Sequence, residues 1–155
     1  MNCHGDGESN YTRTMTRPAL FAVVLGFGLL LATADRAVAQ PENSSYAATF
    51  EEVVNNCSQD GYQMSKGTVK IATGAGRTIT VSVDGIPDMD GSWGRSGGKF
   101  KAEARGATAS PGVTGKFSMA GRVDTDGIQA LFIVELYRGK KPLCTQSWSV
   151  TGKQK

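Results

Sequence analysis

Two aspartate-rich turns are the first places in the chain where residue type and spacing suggest chemistry. Asp84, Asp88 and Asp90 fall within Asp84-Gly85-Ile86-Pro87-Asp88-Met89-Asp90-Gly91, and a second Asp-x-Asp-Gly runs Asp124-Thr125-Asp126-Gly127. Hard cations need several oxygen ligands, so aspartates at alternate positions before a glycine invite comparison with a calcium loop. The comparison fails. Its first ligand position falls on Ile86 or Arg122 and its twelfth on Gly97 or Ile133, and none of these supplies a carboxylate. Turn aspartates that bond their own backbone are the simpler reading. Ser96-Gly97-Gly98-Lys99 matches Ser-x-x-Lys, but in acyl-transfer enzymes that motif opens a helix, and two glycines leading into an alternating run argue against one here. Gly74-x-Gly76 lies between two alternating runs with no helix after it, so it reads as a hairpin tip and not a phosphate loop.

Carboxylates are the remaining acid–base candidates: Glu51, Glu52, Glu103, Glu135 and the loop aspartates. Paired acids hydrolyse glycosides, but no spacing here sets two of them at a working distance. Glu135 stands out because it is embedded in an apolar run, where burial would raise its pKa. A cross-strand contact with Lys116 is the plainer expectation. The stretch from Asp90 to Gly98 holds Trp93 among both charge signs and several glycines. An exposed tryptophan flanked by Asp90 and Arg95 would suit stacking on a sugar or anchoring a protein partner. The competing expectation is an indole folded back over the end of the core.

Composition narrows the chemistry further. The chain has 155 residues, 17 Lys+Arg against 14 Asp+Glu, one histidine and three cysteines. Its N-terminus reads as a secretory signal peptide over residues 1–39. Arg17 leads an apolar run of about 15 residues, shorter than the roughly 20 needed to span a bilayer. Ala37-Val38-Ala39 then supplies a small-x-small cleavage site. Residues 1–14 are polar, and Met15 followed by Arg17 makes a more ordinary start, so Met15 is the expected initiator. Cleavage after Ala39 removes His4 and Cys3 and leaves the net charge at +3, because three arginines leave with three acids. The mature chain then has no Ser-His or Cys-His mechanism and no histidine metal site. Two cysteines are too few for a structural zinc. The expected destination is periplasmic or extracellular, where disulfides persist. Cys57 and Cys144 are the expected pair, and closing so long a loop is worth about 4.6 kcal/mol on the chain-entropy estimate.

The elements that would position these residues read as β-strands. After a polar leader over 40–45, residues 46–155 form one domain of short alternating runs separated by glycines. Thr68–Ile71 and Thr78–Val83 alternate, and Lys99–Arg105 keeps every charge on one face. Val113–Val123, Ile128–Tyr137 and Leu143–Thr151 follow. The first segment is ambiguous. Tyr46, Phe50, Val53 and Cys57 sit at helical spacing, with Thr49 and Glu52 placed as a capping box. The same stretch also fits an edge strand with a bulge, and strand is favoured because Cys57 must reach Cys144.

Two hairpins can be aligned. With Asp126-Gly127 as a two-residue turn, Val123 faces Ala130, Gly121 faces Phe132, Met119 faces Val134 and Phe117 faces Leu136. With Gly139-Lys140-Lys141 as the next turn, Leu136 faces Cys144, Val134 faces Gln146, Phe132 faces Trp148 and Ala130 faces Val150. One apolar face stays inward throughout, and a slip of one residue would turn it outward. On the opposite face Leu131, Ile133 and Tyr137 need a cover, either within the chain or from a second copy. Lys140, Lys141, Lys153 and Lys155 are expected near one end of the sheet. A net +3 is too small to argue for nucleic acid.

The fold expected is therefore all-β: one antiparallel domain of about seven strands, a small barrel or compact sandwich, with one short N-terminal helix as an option. The architecture is loosely like small exported barrels that bind ligands or block hydrolases, an analogy at the level of fold alone. The function expected is a non-enzymatic module that needs no cofactor and has no membrane span once mature. It would bind a small ligand or protein through Trp93, Asp90 and Arg95. The alternatives are an assembly protein using the outer face of residues 128–137, with a homodimer through Leu131, Ile133 and Tyr137, and a carboxylate-based hydrolase.

Overall fold

Period-two alternation governs the chain from Asn43 to its end, and it closes into a barrel. The computed structural model describes residues 43–58, 61–95 and 98–155; the signal-peptide reading, the Met15 start and the Ser96-Gly97 part of Ser-x-x-Lys lie outside them. Eight strands follow one another: β1 (Asn43–Asn55), β2 (Lys66–Thr73), β3 (Thr78–Val83), β4 (Met89–Trp93), β5 (Lys99–Ala107), β6 (Val113–Asp124), β7 (Gly127–Arg138) and β8 (Lys141–Gln154). Each pairs antiparallel with its neighbours in sequence, and β1 pairs with β8, so no edge is left open. Eight strands give an interior just wide enough for side chains to fill. Tyr46, Phe50, Trp93, Phe100, Phe117, Phe132 and Trp148 fill it together with aliphatic residues from every strand. Phe132 stacks on Trp148 with ring centroids 5.7 Å apart.

The structure decides for a barrel over a sandwich and adds one strand to the expected count. The added strand is β4, which reads as a loop because Asp90-Gly91-Ser92 is turn-forming in composition. In the fold, Met89 and Trp93 point inward around Gly91. A side chain at Gly91 would collide with the Lys101 carbonyl oxygen and with Ala102, so glycine lets β4 approach β5. No helix occurs among the described residues. β1 is a strand starting at Asn43, inside the expected polar leader, with Tyr46, Ala48 and Phe50 inward. Its irregularity between Glu52 and Val54 is the anticipated bulge, but β1 is paired on both sides and is not an edge.

The register of β7 with β8 matches the sequence alignment at Leu136–Cys144, Val134–Gln146, Phe132–Trp148 and Ala130–Val150. Here the turn is only Gly139-Lys140, and a bulge between Leu136 and Tyr137 on the pairing absorbs the extra residue. The β6–β7 alignment is corrected by two residues. Val123 faces Ile128, Gly121 faces Ala130, Met119 faces Phe132 and Phe117 faces Val134. The turn is Thr125-Asp126, with the Asp124 carboxylate accepting from the Asp126 N–H at 3.0 Å. Gly127 opens β7 instead of closing the turn, at φ 134°, where a side chain would strike the Gly152 carbonyl. A shift of two preserves parity, so the inward face is as expected.

Cys57, Tyr62 and Met64, from between β1 and β2, pack against the core at one end of the barrel. Cys57 is joined to Cys144 across 87 residues, with a Cα–Cα distance of 5.1 Å. Tyr62 packs edge-on against Phe117 at 5.8 Å. Gln146 is wholly buried and grips the same segment: its Oε1 accepts from the Tyr62 N–H at 2.7 Å and its Nε2 donates to the Tyr62 carbonyl at 3.1 Å. Lys140 and Lys141 stand where β8 begins, whereas Lys153 lies near its far end and Lys155 just past it, so the expected cluster of four lysines is split along the length of one strand.

Candidate functional site

Trp93 lies inside the barrel, only 2% exposed. Its indole meets Phe100 edge-on at 5.9 Å and donates its Nε1–H to the Thr73 hydroxyl at 3.2 Å. The expectation of an exposed indole contact is thereby corrected, for a geometric reason. Once β4 is a strand, Trp93 takes its inward parity and Asp90, three residues earlier, takes the outward one. Asp90 accepts from the Thr80 hydroxyl at 3.2 Å on the outer wall, and Arg95 is exposed just beyond the strand. The three residues do not share a surface.

The acids are distributed around the outside. Asp84 accepts from the Thr68 N–H at 3.2 Å, and Asp124 pairs with Arg122 at 3.5 Å while bonding its own turn. Glu52 accepts from the Asn55 side chain. The register sets Asp90 directly opposite Glu103, a carboxylate pair that sequence spacing did not reveal. It sits on the outer wall, and neither acid lines either of the grooves described below. Among the described residues, no three histidine, cysteine, aspartate or glutamate side chains gather at metal-binding range.

Glu135 is half-buried on the outer wall and pairs with Lys116 at 3.1 Å, the partner expected from sequence. The hydrogen bond from Lys116 to Glu135, reinforced by their charge attraction, raises the lysine pKa above its ordinary value.

The concave feature beside this pair was not legible as a motif. Cross-strand rows build it. Arg105, Lys116 and Glu135 stand in one outward row of β5, β6 and β7, and Ala107, Thr114 and Tyr137 stand in the next. Ala107 and Thr114 are short, while Arg105, Lys116 and Tyr137 are long. With Lys140 from the β7–β8 turn, they wall a groove of about 620 Å³. Its backbone floor includes Gly106 opposite Gly115. Among the described residues, Arg105 and Lys140 make no ion pair, so two of the three cations at the rim are uncompensated. A second groove, of about 320 Å³, lies on the wall formed by β1, β7 and β8 near Lys153 and Asp126.

The outer face of β7 is split by these features. Tyr137 belongs to the first groove, while Leu131 is 43% exposed and Ile133 half-buried farther along the strand. Ile133 and Val54 are the cross-strand neighbours of Ser147 on its two sides, and Ser147 is nearly covered although it faces outward. No family model matches the chain, and no curated protein or solved structure matches it significantly.

Proposed function

We propose that the protein is an exported, non-enzymatic binding module that holds a small ligand on its outer wall, in the groove between β5, β6 and β7. The observation that carries this reading is the groove itself. A hollow of about 620 Å³ falls in the size range of small-molecule sites and is built on paired strands, which position side chains more rigidly than loops do. The packed interior supports the same reading, because aromatic side chains occupy the space in which larger barrels hold ligands. Export is supported by the cleavable N-terminal pattern and by the bonded pair Cys57–Cys144. The outer wall carries charges on most strands, the reverse of the apolar band of a membrane barrel. No helix among the described residues is long and apolar enough to cross a membrane.

Native mass spectrometry of the protein from its own host's extracytoplasmic fraction tests the reading in one spectrum. The expected chain starts at Gln40, weighs two hydrogens less than the reduced form, and carries a small retained mass that Arg105→Glu or Lys140→Glu removes. A chain that keeps its apolar N-terminus, or a retained mass indifferent to both substitutions, would overturn it. A second reading, assembly, is favoured by the strip of Val54, Leu131 and Ile133 on the outer wall. It requires a dimer in the same spectrum that Ile133→Lys converts to monomer.

A further inference from the structure

The β5–β7 groove brings three cations together, of which Lys116 is paired with Glu135. Arg105 and Lys116 are direct cross-strand partners on the outer wall, and both Glu135 and Glu103 favour the charged lysine. Glu135 compensates Lys116 at 3.1 Å, but it sits on the far side of Lys116 from Arg105, in the third strand of the row. Lys140 adds a further cation from the turn at the rim. Among the described residues, Arg105 and Lys140 make no ion pair and are open to an anion from outside. An anion lying between Arg105 and Lys140 would pair with both, and the arginine fork is shaped to receive two oxygens of one acid group. Size adds a second constraint. A bare inorganic anion would leave most of about 620 Å³ unfilled, and Tyr137 and Thr114 offer an aromatic wall and a hydroxyl to a larger body.

We propose that the groove takes a small organic anion, a carboxylate, sulfate or phosphate group carried on a ring of sugar or aromatic size, with Arg105 and Lys140 holding the acid and Tyr137 lying along the ring. This assignment rests on the reading of the groove as the binding site.

The test is an amide-resolved NMR titration of the purified disulfide-bonded protein with two matched pairs of probes: glucuronate with glucose, and benzoate with benzyl alcohol. An acid should move the amides of Arg105, Thr114 and Lys140 saturably and bind about tenfold tighter than its neutral partner, the scale of one charged hydrogen bond. Arg105→Gln and Lys140→Gln should each weaken that binding about tenfold, and added salt should weaken it in the native protein. Whichever acid binds tighter identifies the body as sugar or aryl. Neutral and acidic members binding the groove equally would overturn the anion assignment and leave the binding-module reading standing. No response of the groove amides to any of the four probes at millimolar concentration would overturn both.

Discussion

Tyr46 illustrates how single residues in this barrel depart from ideal packing. Its ring is buried in the core, yet its hydroxyl has no hydrogen-bond partner, and the same holds for Ser44 two residues earlier on the same face. A buried hydroxyl without a partner costs about 1–3 kcal/mol of desolvation. Tyr46→Phe should therefore raise stability by about 1 kcal/mol, measured as a higher denaturation midpoint at unchanged m-value, whereas a loss of stability would show that the hydroxyl is satisfied in solution. Gln146 is the opposite case, a buried amide whose oxygen and nitrogen are both used on the backbone of Tyr62. The aspartates most visible in the sequence divide: Asp84 and Asp90 reach across to Thr68 and Thr80, where bonds to their own turn were expected. Asp124 bonds its own turn, as turn chemistry alone anticipated.

Among the elements, β4 shows where local reading failed. Its composition is that of a loop, and its alternation is masked by a glycine at the inward position between Met89 and Trp93. What makes it a strand is close approach to β5, which Gly91 alone permits. Gly91→Ala should destabilise the protein by roughly 1–3 kcal/mol or more. It should also accelerate amide exchange in β4 and β5 ahead of β7 and β8; exchange unchanged in β4 would refute the role. The reassignment of Trp93 follows from the same element. A residue expected on a binding loop became a core residue once its neighbours were paired. The β6–β7 hairpin erred differently. Asp126-Gly127 is a strong turn signal, but the glycine was needed one position later in function, where β7 passes the Gly152 carbonyl.

For the molecule as a whole, closure depends on the meeting of β1 and β8 and on the cross-link beside it. The disulfide joins the segment after β1 to the start of β8 and holds that segment against the core. Replacing Cys57 and Cys144 with serine should cost about 2–4 kcal/mol, because the unfolded chain regains the entropy the cross-link removed. Denaturant titration of the double variant checks this, and equal midpoints for both proteins would show that β1–β8 pairing suffices alone. The Cys57 amide should lose exchange protection ahead of the Tyr62 amide, which the buried Gln146 still holds.

Period-two alternation, parity and the pairing of the two cysteines were determined by sequence alone, because each is a local or counting property of the chain. Alternation states which side chains are inward, and a shift of two residues leaves that statement intact, which is why β6–β7 could be misaligned while its core face was correct. Only the tertiary structure decided the eighth strand, the barrel over the sandwich and the location of the groove. The groove is made of residues that are short in one cross-strand row and long in the next, drawn from three strands and a turn. No spacing along the chain encodes that hollow, because its neighbours are set by lateral register, and register depends on turns, bulges and close approaches that appear only when the sheet closes.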